Sequence, residues 1–124
     1  MISEIIEKDS CVDTDGIPSQ SLAQVYGAKI FTAKEVHNEG HERILDLIQE
    51  GAECLVTIDC DGLDPSIMPA VKAPVPGGLL FQQGIDLIHH ISKKANVKGF
   101  NLIEFVPEKD VNGFGCLDCC PYYF

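Results

Sequence analysis

The stretch Cys54-Leu55-Val56-Thr57-Ile58-Asp59-Cys60-Asp61-Gly62-Leu63-Asp64-Pro65 decides the fold. Its first five residues are apolar and β-branched, the composition of a strand buried inside a sheet. Polar residues follow abruptly, so the carboxyl end of that strand opens into a loop. Residues 61–78 then hold Pro65, Pro69, Pro74 and Pro76 with Gly62, Gly77 and Gly78. Proline cannot continue a helix, and long loops inside compact domains are commonly functional.

Outward from this stretch the chain alternates. Upstream, Val25 to Phe31 reads as a short strand, and Thr32 with Glu35 has capping-box spacing. Ile44, Leu45, Leu47 and Ile48 continue a helical period that Gly51 ends. Downstream, Phe81 to Ala95 reads as a helix with Phe81, Ile85, Ile88 and Ile91 on one face. Lys93 and Lys94 suit its carboxyl end. Val97 to Val106 is a third strand, stopped by Pro107. The order β-α-β-α-β predicts an α/β fold with a parallel sheet, right-handed crossovers and helices on its faces. Residues 1–23 read as polar and irregular, with turn formers from Asp13 to Ser19, and residues 111–124 show no period.

The chain has 124 residues, one domain's length, with 45% hydrophobic and 23% charged residues. No apolar run nears the roughly 20 residues of a spanning helix. Nine basic against 19 acidic residues give a net charge of −10. That field repels nucleic acid and attracts cations. Met1 to Ser10 carries Glu4, Glu7 and Asp9 and has no signal-peptide pattern, so a cytoplasmic setting with reduced thiols is expected. Three of the six cysteines, Cys116, Cys119 and Cys120, crowd the tail. A closed zinc site takes four ligands, often as two Cys pairs, and no second pair is present; reduced thiols are expected there.

Asp59 and Asp61 carry the first chemical signal. Two residues apart at a strand's carboxyl end, they are expected on one face, with Cys60 on the other. Two such close carboxylates repel unless a cation lies between them, and hard divalent ions such as Mn²⁺ or Mg²⁺ prefer oxygen ligands. A solvated strand end with acidic turn residues is the alternative. Glu104 is the second signal, a charge interrupting an apolar strand. In open α/β sheets ligands gather beyond the carboxyl ends of the strands, where all three acids are expected; an edge glutamate meeting solvent is the alternative. His37, His41, His89 and His90 read as polar helix surface.

Together these residues resemble the arginase/agmatinase (ureohydrolase) family. The matching text is TIDCDGLDPSIMP at 57–69, PVPGGL at 74–79 and GFNLIEFVPEKDVNG at 99–113, with FTAKEV at 31–36. It reads closer to agmatinase than to arginase. The resemblance implies a three-layer α/β/α fold with a parallel sheet, partial here. It divides the chain into an irregular 1–23, a partial ureohydrolase domain over 24–113 and a divergent tail over 114–124. It implies that Asp59 bridges two Mn²⁺ ions, that Asp61 ligates one of them, and that Glu104 holds a small cationic guanidino substrate such as agmatine. A metal-activated hydroxide would release urea by breaking a guanidino C–N bond. It also implies a homo-oligomer for the intact family.

The departures are equally specific. The family's G-G-D-H and D-A-H-x-D motifs, which bring its other metal ligands, occur nowhere in the 124 residues. Asn101 stands where the family usually has Asp, and Leu80 where it has Thr. FGCLDCCPYYF replaces the family's final helix, as a frame change or early stop in the gene would. The expectation is a C-terminal ureohydrolase fragment with little or no activity alone. A non-catalytic remnant or interaction module is the alternative. A haloacid-dehalogenase phosphatase fits poorly, because Gly62-Leu63-Asp64-Pro65 follows the D-x-D.

Overall fold

A computed structural model of the chain describes residues 4–7, 27–113 and 115. Two segments fall at strands β1 (Glu4–Glu7) and β2 (Lys29–Thr32), and two longer ones at β3 (Glu53–Asp59) and β4 (Asn96–Ile103). Helices α1 (Ala33–Glu39) and α2 (Glu42–Leu47) lie between β2 and β3, and α3 (Phe81–Lys94) lies between β3 and β4.

The expected alternation is present, and among the described residues both strand pairs, β1–β2 and β3–β4, are parallel. Among the described residues the strands form two two-stranded sheets, β1–β2 and β3–β4. β1 lies in the segment that the sequence presents as irregular. Its Ile5-Ile6 pair is β-branched, and its four residues align with Lys29 to Thr32. So short a strand, flanked by glutamates, has too few apolar residues to stand out before its partner is known.

Between β2 and β3 the helical period is broken once. The Thr32 hydroxyl accepts from the Glu35 amide at 3.2 Å, and the Glu35 carboxylate accepts from the Thr32 amide at 2.7 Å, so the capping box forms. The helix then stops at Gly40, at φ +79°, whose amide bonds to the Val36 carbonyl. At that positive φ a residue with a side chain would be strained, so glycine suits the turn. Gly51, which reads as the helix end, instead shapes the turn into β3 and donates its amide to the Lys94 carbonyl at 2.8 Å.

α3 begins at Leu80 without a side-chain cap; only the Gln83 side chain returns, accepting from the Leu80 amide at 3.0 Å. Its buried residues are Gly84 and Leu87, with Ile91 packed beside them; Phe81, Ile85 and Ile88 are half-buried. The inward stripe is therefore rotated from the expected one. Lys94 reaches across to α2 and donates to the Leu45 carbonyl at 2.7 Å, satisfying a neighbouring helix's open end.

The core lies on one side of β3–β4. Cys60, Leu63, Met68, Ala70, Val71, Leu79 and Leu87 join Phe31, Val36 and Ile44, and Met68, Cys60 and Val71 are almost fully enclosed. The proline-glycine loop thus supplies much of the core. Burying a side chain such as Met68 is worth about 1.5–3 kcal/mol. The opposite face of β3–β4 is open among the described residues: Leu55 is 79% exposed and Ile103 38%. Among the described residues no helix is long and apolar enough to cross a membrane.

Candidate functional site

The three acids singled out in the sequence meet at the carboxyl ends of β3 and β4. Asp59 is the last residue of β3 and stands beside Ile103, the last residue of β4, so Glu104 follows directly at its neighbour's end. β3 does not continue through Asp61. The chain tightens into a 3₁₀ turn over Cys60–Gly62, and the Asp59 carboxylate accepts from the Asp61 amide at 3.2 Å. Cys60 turns fully inward while Asp59 stays exposed and Asp61 half-buried. The separation of Cys60 from the two acids therefore comes from a turn, not from strand alternation. β4 likewise ends before Glu104, whose backbone lies at φ +60°, a left-handed conformation uncommon for a residue with a side chain.

Electrostatics link the three. Partial burial pushes the Asp59 carboxyl above the usual aspartate range, and the negative charges of Asp61 and Glu104 add to the rise. Among the described residues none of the three forms an ion pair with Lys or Arg; the ion pairs present join Arg43 to Glu35 and Glu39, and Lys98 to Glu53. The three acids thus repel one another without a Lys or Arg counter-charge among the described residues. The donors are hard oxygens, the type that Mn²⁺ and Mg²⁺ take. They fit such an ion in kind but not in number. No group of three or more His, Cys, Asp or Glu side chains among the described residues is disposed to hold a metal.

One residue of the motif has a role that its text does not announce. Asp64 accepts from the Ser66 amide at 3.0 Å and from the Gly77 amide at 2.9 Å, which closes the loop across 13 residues. A bond from the Ser66 side chain, with these two amide bonds, holds its carboxyl below the usual aspartate range. Beside the clasp, Leu79 donates to the Gly62 carbonyl and Asp64 to the Leu79 carbonyl, at 3.0 and 2.9 Å. A Cβ at Gly78 would lie 2.5 to 2.7 Å from backbone atoms of Leu63, Gly62 and Asp64, so only glycine lets the strands of this loop approach. The D-P and P-G-G ends of the motif are therefore one clasp, and Asp61 sits at its base. The D-P spacing alone signals an Asx turn to Ser66; nothing local signals Gly77.

The histidines are arranged differently from the sequence pairs. His41 and His90, 49 residues apart, meet with Nε2 and Nδ1 3.1 Å apart. Cys11 and the tail cysteines lie outside the described residues.

A model of the Arginase family matches residues 12–115. The N(1)-aminopropylagmatine ureohydrolase of Thermus thermophilus is 36% identical over 91 residues, covering 72% of this chain and 30% of that protein. The agmatinase of Chromobacterium violaceum is 33% identical over 87 residues, covering 68% and 27%. Among solved structures, the proclavaminate amidino hydrolase of Streptomyces clavuligerus superposes with a TM-score of 0.72 at 28% identity, over 84% of this chain and 35% of that one. The chain spans about 30% of the length of the curated relatives it matches. A D-x-D strand end, a clasped proline-glycine loop, a family model over most of the sequence and a shared α/β architecture converge: the chain belongs to the Arginase family.

Proposed function

We propose that this chain carries the Asp59–Asp61 and Glu104 portion of a manganese ureohydrolase centre, agmatinase-like in its text. The observation that carries the reading is the unneutralised cluster of three acids at the ends of β3 and β4, with Asp59 held above its ordinary range. Asp59 and Asp61 would hold the metal, Asp59 as the bridging ligand. When bound, such a metal pair activates water for hydrolysis at neutral pH. Glu104 would take the guanidinium of a small cationic substrate such as agmatine by charge-assisted hydrogen bonds. The 61–78 clasp would fix Asp61 relative to Asp59. The family's G-G-D-H and D-A-H-x-D motifs, which bring its other ligands, do not occur in these 124 residues. The reading therefore includes a cytoplasmic homo-oligomeric enzyme as the intact context, and little or no hydrolysis by the chain alone.

Mn²⁺ titration followed by electron paramagnetic resonance tests the ligand assignment. Asp59→Asn and Asp61→Asn should each weaken uptake; uptake equal to the parent's would refute it. Urea release from agmatine by the 124-residue chain with added Mn²⁺, at rates near an intact enzyme's, would refute the predicted inactivity.

A second reading, a non-catalytic interaction module, draws on the open face of β3–β4, with Leu55 79% exposed. A monodisperse monomer by sizing and a native near-UV circular dichroism signal would count against it.

A further inference from the structure

Glu104 lies at φ +60°, a disfavoured region for a residue with a side chain. A residue keeps such a conformation only where the structure on both sides of it leaves no easier alternative. On its amino side, Ile103 is held in the β3–β4 ladder opposite Asp59. On its carboxyl side, three links join the chain to the middle of the proline-glycine loop. Phe105 and Val71 form an antiparallel bridge. The Val106 amide donates to the Ala70 carbonyl at 2.8 Å. The Lys109 ammonium donates to the Val71 carbonyl at 2.9 Å and to the Lys72 carbonyl at 3.3 Å.

The loop side of these links is a firm anchor. Ala70 and Val71 are almost fully enclosed in the core, and Phe105 packs against it. Lys109 is carried on the 3₁₀ turn Pro107–Lys109, and its amide donates to the Val106 carbonyl at 3.0 Å. Its backbone therefore holds Val106 while its side chain holds the segment that Val106 meets. Two of the three links are made by the backbone; only the Lys109 link depends on a side chain. The chain has 19 acidic residues, yet Lys109 forms no ion pair among the described residues. Its charge is directed at two carbonyls instead, and hydrogen bonds from a charged donor are the stronger kind.

We propose that Lys109 is a positioning residue: by fastening residues 105–109 to the 70–72 segment, it holds Glu104 in its left-handed conformation at the acid cluster. What Glu104 then does toward a guanidinium rests on the function proposed above; the hold on its backbone does not. Nuclear magnetic resonance of the full chain tests the hold without metal or substrate, so its failure is distinct from failure of the ligand assignment. A φ near +60° brings the Glu104 amide proton close to its own Hα and gives a strong cross-relaxation peak between them. Lys109→Met should weaken that peak, with the far-UV circular dichroism spectrum retained. Lys109→Arg, which keeps charged donors, should preserve it, as should Glu108→Gln on the same turn. Urea melts give a second readout. In the parent, Lys109→Met lets Glu104 relax, which offsets part of the lost bonding; in a Glu104→Gly chain there is no strain to relieve. Lys109→Met should therefore lower the urea midpoint less in the parent than in the Glu104→Gly chain. An unchanged peak in Lys109→Met, a loss as large in Lys109→Arg or Glu108→Gln, or a midpoint drop as large in the parent as in the Glu104→Gly chain would each overturn the proposal.

Discussion

The carboxylate of Asp64 accepts the amide of Gly77 at 2.9 Å, so the first and last turns of the proline-glycine loop are one structural unit. Asp64→Ala leaves the Gly77 and Ser66 amides without their acceptor and should cost about 1–2 kcal/mol. Asp64→Asn, which keeps one acceptor oxygen, should cost less. Urea denaturation of the three chains checks the order.

The same clasp predicts a pH dependence. Asp64 is depressed in the folded chain, so its stabilising contribution is present above the ordinary aspartate range. It is lost as the pH falls through the depressed value. The difference in urea midpoint between the parent and Asp64→Asn should therefore shrink on acidification below that range.

Asp59 has the opposite sign. Its carboxyl is raised, so the folded chain holds that proton to higher pH than the unfolded chain does. Its contribution is full below the ordinary range and is lost as the pH rises through the raised value. Without metal, Asp59→Asn should be the more stable chain at neutral pH, and it should bind Mn²⁺ more weakly. Parallel urea melts with and without Mn²⁺ separate the two effects: the metal should stabilise the parent more than the variant.

Neighbouring glycines should respond differently to alanine. Gly77 lies at φ +93° with open space where a Cβ would stand, so Gly77→Ala should cost about 1–2 kcal/mol from backbone conformation. Gly78 meets backbone atoms that cannot swing aside, and Gly78→Ala should cost about 2–3 kcal/mol or more. Equal urea midpoints for the two variants would contradict the close approach described here.

Leu80 offers a gain. It already has extended cap geometry, at φ −81° and ψ 156°, is 47% exposed and lacks a side-chain bond to α3. Leu80→Thr should complete the capping box with Gln83 and raise stability by about 0.5–1 kcal/mol, read as a higher melting temperature.

Strand β3, helix α3 and the ordering of elements were legible because apolar runs and helical period are local signals. The capping box at Thr32 and Glu35 was legible for the same reason. The break at Gly40 was not, since a single glycine within a helical period reads either way until its backbone is seen at positive φ. The burial of Leu87 in place of Ile88 depends on how α3 rests on the core. Asp59, Asp61 and Glu104 could be grouped by their positions at strand ends, but the 3₁₀ turn at Cys60 and the end of β4 at Ile103 required three dimensions. The Asp64–Gly77 and His41–His90 contacts span 13 and 49 residues, beyond any local pattern.

Glu104 bends backward where β4 stops. Placing an L-residue in that region costs on the order of 1–2 kcal/mol, which glycine would avoid. A sequence shaped by durability alone would therefore put glycine at 104. Glu104→Gly is the substitution in which ruggedness and the acidic cluster should part company: a hardier chain, one carboxylate poorer.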